Sequence, residues 1–216
     1  MLERITRREE ADLFVAWMAI AIAFAIIQIA PYGILGPKIS IDPLSAVIFF
    51  GIALVTVGIG FIIHEMAHKF TAIHFGYWAE FKRDNIMLLI AVVMASLVGF
   101  VFAAPGATMI YSRDGRMLTS EENGIISAAG PAVNLVLCIP FAALILVAGG
   151  LTALKSGSLL AFVGLAGIQI NAMLATFNLL PVSILDGKKV LAWNLPVFIL
   201  LIGASVAILF GSFALL

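Results

Sequence analysis

The 216-residue chain is 63% apolar and 11% charged, with a mean hydropathy of +1.17. No water-soluble globule of this size can carry that balance on its surface, so the chain belongs in lipid. The net charge of zero says nothing about nucleic acid, and no basic run suggests such a partner. The single cysteine, Cys138, rules out an intrachain disulfide and argues against a cysteine-based metal site.

Several stretches approach or exceed the ~20 residues a helix needs to cross about 30 Å of hydrocarbon. The sequence therefore predicts an all-α polytopic membrane protein with about six hydrophobic segments and no soluble appendage. The first, residues 13–30, follows Arg4, Arg7 and Arg8. It reads as an uncleaved anchor, because the run is long for a signal peptide and no small-x-small cleavage site ends it. Pro31, Gly33, Gly36, Pro37 and Pro43 mark a loop before the second segment, at about 44–74. Residues 86–104 are apolar but rich in small side chains and end in Ala103-Ala104-Pro105-Gly106. A polar stretch from Tyr111 to Asn123 follows, in which Asp114-Gly115 predicts a turn between two short runs able to pair as a hairpin. Further spans are expected near 124–149, 158–180 and 195–216.

Lys and Arg near span ends accumulate on the cytoplasmic side, and that bias orients the spans. With the amino terminus inside and 86–104 dipping in and returning, Arg4, Arg7, Arg8, Lys69, Lys82, Arg83, Arg113, Arg116, Lys188 and Lys189 lie inside. Only Lys38 and Lys155 then lie outside, ten against two. A full crossing by 86–104 lowers the bias to seven against five. The re-entrant arrangement is favoured, and irregular backbone at membrane depth itself implies a protein-lined or solvated cavity.

The chemistry is concentrated in His64-Glu65-Met66-Ala67-His68. On a helix, two histidines four residues apart project from one face at the spacing one zinc ion requires. Glu65, beside the first of them, is placed to take a proton from the attacking water and pass it to a leaving amine. Zinc would act as Lewis acid. Such a pattern arises by chance in many soluble helices, but a carboxylate well inside an apolar helix is expensive enough to imply function. His64 should lie ~16 Å along the axis from the helix end.

Three residues compete to be the third ligand that a zinc site needs. His74 has the right outer spacing, but Thr71 stands where a helix break would be required, and an unbroken helix carries His74 about 240° round from His68. It reads as an interfacial histidine. Glu80, with Asp84 four residues on, sits in a short polar loop with Lys82 and Arg83. Asp186 is the choice: Pro181 ends the fifth span, Gly187 permits a turn, and in the re-entrant topology the segment returns to the side of the zinc helix.

These residues, with Asn178, Pro181 and Asp186-Gly187 downstream of the histidine motif, resemble the site-2 protease family of intramembrane zinc metalloproteases. The resemblance covers about 60–190 and includes Gly130-Pro131 with Asn134, the possible lining of the site. It implies one zinc per chain held by His64, His68 and Asp186, with Glu65 as general base and Asn178 assisting by hydrogen-bonding the substrate or its oxyanion. It also implies a membrane-inserted sheet between the zinc helix and the Gly-Pro helix, although the residues themselves fit a helical hairpin equally well. Lys188 stands where a second glycine is common, and no PDZ or CBS module is present. A single metalloprotease domain over 1–216 follows, with a catalytic core at about 44–190.

The activity so implied is hydrolysis of peptide bonds in or near transmembrane segments of membrane proteins, as in regulated intramembrane proteolysis. Partners would be transmembrane substrates and the bilayer. The location would be the cell membrane, with the amino terminus cytoplasmic and the site nearer that face. Two alternatives stand beside it: a non-catalytic metal-binding or transport protein, and a membrane zinc protease of the CAAX-processing type, which would use Glu80. Asn171 and Gln169 read as helix–helix glue or cavity lining, and Tyr77, Trp78 and Phe81 as an interfacial aromatic belt.

Overall fold

The computed structural model describes residues 5–36, 42–101, 105–112, 115–182 and 184–215. Of the positions used above, Arg4, Pro37, Lys38, Ala103, Ala104, Arg113 and Asp114 lie outside the described residues. The described chain is mostly helical. Five helices are long and apolar enough to cross a membrane: α1 (Arg7–Ile29), α2 (Pro43–His74), α4 (Ser120–Val147), α6 (Leu159–Asn178) and α8 (Leu195–Phe213). Shorter elements lie between them: β1 (Trp78–Arg83), α3 (Asn85–Val98), β2 (Gly106–Tyr111), α5 (Leu151–Lys155) and α7 (Asp186–Trp193). The all-α polytopic expectation holds, with a two-stranded sheet of β1 beside β2.

Helix starts follow from capping chemistry, which supplies acceptors for amides that have no intrahelical partner. Thr6 accepts from the Glu9 amide at the head of α1, and Asp84 accepts from Ile86 and Met87 at the head of α3. Thr119 and Glu122 form a reciprocal capping box on α4. Gly99, at φ 71°, ends α3 in a left-handed conformation open to glycine at little cost.

The segment between α2 and α4 holds one short apolar helix among its described residues. At 1.5 Å per residue α3 is about 21 Å long, short of a span. Its two flanks return to each other, with the Asp84 amide donating to the Pro105 carbonyl at 3.0 Å. Asp84, which follows β1, and Pro105, which precedes β2, thus lie side by side. The hairpin expected about Asp114-Gly115 is not formed by β2, whose partner is β1, more than twenty residues upstream. Local turn chemistry was outweighed by a non-local edge that satisfies the β2 backbone.

The chain forms two compact units, residues 1–62 with 80–109, and residues 63–79 with 110–216. In the first, α1 packs on α3, and the Trp17 indole donates to the Leu54 carbonyl at 2.9 Å. The start of α1 also meets β1. The wholly buried Glu9 accepts from the Phe81 amide at 3.0 Å, the Thr6 hydroxyl donates to Glu80 at 2.8 Å, and Arg83 lies 3.4 Å from Asp12. Phe81 is buried edge-on to Phe61. In the second unit, Tyr77 is buried with Ala72, Ala79 and Ile126. Tyr77 and Phe81 therefore do not form the expected interfacial belt: β1 alternation turns Phe81 into protein, and Tyr77, just before the strand, is buried in the cluster with Ile126.

The second unit is built on α4 against α6, with Phe141 and Ile145 meeting Leu165, Ile168 and Ala172. Gly164 and Gly167 make the approach possible, since a Cβ at either would strike α4 at Phe141. Helix α7 packs on α4, with Trp193 seated over Gly124. That seat positions the first residue of α7, Asp186.

Candidate metal centre

Helix α2 carries His64, Glu65 and His68 in its last three turns, all three buried. From His68 to the helix end at His74 is about 9 Å, and from His64 about 15 Å. His64 and His68 face each other, with their Nε2 atoms 3.0 Å apart. Asp186 reaches them from α7: its Oδ2 lies 3.1 Å from His68 Nε2 and 3.7 Å from His64 Nε2. These three residues are the group, among the described residues, whose ligand atoms lie within 4.8 Å of one another.

The hydrogen bonds behind the rings fix what the facing atoms are. His68 Nδ1 lies 2.7 Å from the Ile126 carbonyl, which can only accept, so Nδ1 bears the proton and Nε2 a lone pair. His64 Nδ1 is bonded to the Asn134 side-chain oxygen, with the same consequence. With both rings neutral, two lone pairs and a carboxylate oxygen converge, an arrangement that calls for a cation among them, a proton on one ring or a metal ion. Bonds of ~2.0–2.1 Å meeting near the tetrahedral angle would set zinc ligand atoms roughly 3.3 Å apart, between the separations observed. Gly130 leaves room for the ion. A Cβ there would lie 2.6 Å from His64 Nε2 and closer still to His68 Nε2. The residues present fit zinc.

Burial pushes the Asp186 carboxyl up, but with a proton in that place the charge on His68 and hydrogen bonds from both rings outweigh it and hold the group well below the usual carboxylate range. Its second oxygen, Oδ1, lies 3.6 Å from Lys189 Nζ one turn on. Gly187 serves a different end from the expected turn. It is helical, and a Cβ there would strike the Leu179 carbonyl, so its role is to let α7 close on the end of α6.

Of the other predicted residues, Asn134 is wholly buried in the site, and Gly130 and Pro131 are buried one turn earlier on α4. Pro131 lacks the amide that would close on the Ser127 carbonyl, and the Ile126 carbonyl, one residue earlier, takes His68. Asn178 is the last residue of α6; its amide donates to the Leu174 carbonyl at 2.9 Å, and it is not among the converging ligand atoms. His74 is exposed at the end of α2 and takes no part in the group. Glu80 accepts from Thr6 and Asp84 caps α3, so both have structural duties. Sequence reasoning did not identify Ile126, whose carbonyl carries no residue-type signal, or Lys189, whose +3 spacing from Asp186 is a weak one.

Three known proteins resemble this chain. One, named "Putative zinc metalloprotease MJ0611", from Methanocaldococcus jannaschii, is 38% identical over 191 residues, covering 88% of this chain and 87% of the relative. "Putative zinc metalloprotease YwhC" of Bacillus subtilis is 30% identical over 161 residues, 69% of this chain and 70% of its own. "Putative zinc metalloprotease Rip2" of Mycolicibacterium smegmatis is 29% identical over 160 residues, 68% of this chain and 59% of its own. No family model and no solved structure matches the chain. A paired-histidine helix, an aspartate brought to it from downstream and likeness along most of its length agree: the chain belongs to the zinc metalloprotease family of these relatives.

Proposed function

We propose that the protein is an intramembrane metalloprotease of the site-2 type, binding one zinc per chain and cutting peptide bonds in or near transmembrane segments of membrane proteins. The observation that carries this reading is the convergence of His64, His68 and Asp186 on one point beside the buried Glu65, in a helix long and apolar enough to span the bilayer. When bound, zinc supplies a Lewis acid and lowers the pKa of water toward ~7. Glu65 takes the proton of the attacking water and returns it to the leaving amine. Asn134 and the Ile126 carbonyl hold the two imidazoles with Nε2 forward. Asn178, at the end of α6, is assigned to the substrate carbonyl or its oxyanion.

A scissile bond in a helix is closed by its own hydrogen bonds, so a transmembrane substrate must unwind locally before it reaches the site. The charge bias supports an amino terminus in the cytoplasm and a site nearer that face of the cell membrane. Glu80 accepts from Thr6 and is not among the converging ligand atoms, which disfavours the CAAX-type alternative.

The test is zinc content and cleavage of a model transmembrane substrate in detergent, for wild type and Glu65→Gln. One zinc per chain in both, with cleavage in the wild type alone, is expected. Stoichiometric zinc without cleavage of any transmembrane substrate would favour a binding or transport protein, and absence of zinc would overturn both.

A further inference from the structure

Behind His64 the hydrogen bonds continue into α6. The Asn134 Nδ2 donates to Asn171 Oδ1 at 2.8 Å, and the Asn171 Nδ2 donates to the Gly167 carbonyl at 2.9 Å. Both asparagines are wholly buried. We infer that Asn171 is a positioning residue for the metal centre: through Asn134, it dictates which nitrogen of His64 bears the proton and which is left for the ion.

The direction of this relay is fixed at its far end. A carboxamide can turn over and exchange donor for acceptor, but the Gly167 carbonyl can only accept. Asn171 must therefore present its NH2 to Gly167 and its oxygen to Asn134. Asn134 must answer that oxygen with its own NH2, and so turns its oxygen to His64. The imidazole answers with Nδ1–H, which leaves Nε2 as a lone pair facing His68 and Asp186. Asn171 is the member of this chain of bonds anchored on a backbone carbonyl, so it is the one that hands a direction on to Asn134. If the Asn134 amide turned over, it would place NH2 against Nδ1, draw the imidazole proton to Nε2 and close that atom to the metal. The relay is neutral throughout, which suits a position among apolar helices where an added carboxylate would be costly.

The inference rests on the metal-site reading, and the experiment separates the two. Zinc dissociation constants would be measured by chelator competition, and the visible spectra of cobalt-substituted proteins recorded, for wild type, Asn171→Leu and Asn171→Asp in detergent. The aspartate variant is the conservative one: kept neutral by burial, its carboxyl still accepts from Asn134 and gives its proton to Gly167. Asn171→Leu is expected to weaken zinc by roughly 10- to 100-fold, as loss of outer-shell partners does, and to alter the cobalt bands. Asn171→Asp is expected to restore both. Wild-type affinity and spectrum in Asn171→Leu would overturn the inference, as would an aspartate variant no better than leucine. A wild-type protein that binds neither ion would instead sink the metal-site reading on which the inference stands. Should Asn171→Leu fail to fold, nitrogen-15 histidine spectra of zinc-loaded wild type decide the matter. His64 protonated at Nδ1 and coordinated through Nε2 is expected, and the reverse would overturn the relay.

Discussion

Two of the polar clusters among the described residues differ in one respect. Where α1 meets β1, donors and acceptors are matched: Glu9 takes the Phe81 amide, Thr6 gives its proton to Glu80, and Arg83 lies beside Asp12. At the metal centre, two imidazole nitrogens and a carboxylate oxygen, all acceptors, are pressed together while their donors face away. Burial and charge mark both clusters, but only the second has an imbalance that a cation must relieve. A buried ionisable group is thus a weak sign of function by itself, and an unbalanced set of them is a strong one.

The comparison can be broken by substitution. The largest effect is expected from Glu65→Gln, which should lower cleavage by about 10²- to 10⁴-fold while zinc content stays at the wild-type level. Asp186→Ala should weaken zinc more than the ~100-fold that marks the upper end for outer-shell partners, read by chelator competition. Gly130→Ala puts a methyl group into the space between the rings. At an overpacking cost of ~1–3 kcal/mol, zinc affinity should drop roughly 5- to 150-fold, with little change in the melting temperature of the metal-free protein. The smallest effect on the metal belongs to Glu9→Ala. The stranded Phe81 amide should cost ~1–3 kcal/mol in unfolding experiments, and zinc affinity should not move. Zinc binding as sensitive to Glu9→Ala as to Gly130→Ala would mean that the two clusters are not distinct in kind.

Much of this was legible in the sequence for physical reasons. Hydropathy over twenty residues locates spans because lipid tolerates little else, and α1, α2, α4, α6 and α8 fall where the apolar runs predict. The i, i+4 histidines were readable because ligand spacing on a helix is local, whereas the downstream aspartate rested on an expected topology, and the structure brings it to the histidines. The β1–β2 pairing was not readable, because its partners are separated by the whole of α3 and the local turn signal pointed elsewhere. Nor was the duty of Asn171. An asparagine in an apolar helix announces a cost, but its partner is set by how α4 and α6 pack on the glycines at 164 and 167. Tyr77 and Phe81 misled for a related reason: aromatics near a span end suit a lipid interface and a protein interior alike.

The clamp on His64 is made of amides, and an amide does not titrate anywhere in the range a cell or a buffer spans. A carboxylate in its place would loosen its hold as acid protonated it, and would answer to salt. The grip described here keeps the same strength through such changes. The scaffold that aims His64 is thus a constant against which metal binding can be read at any pH.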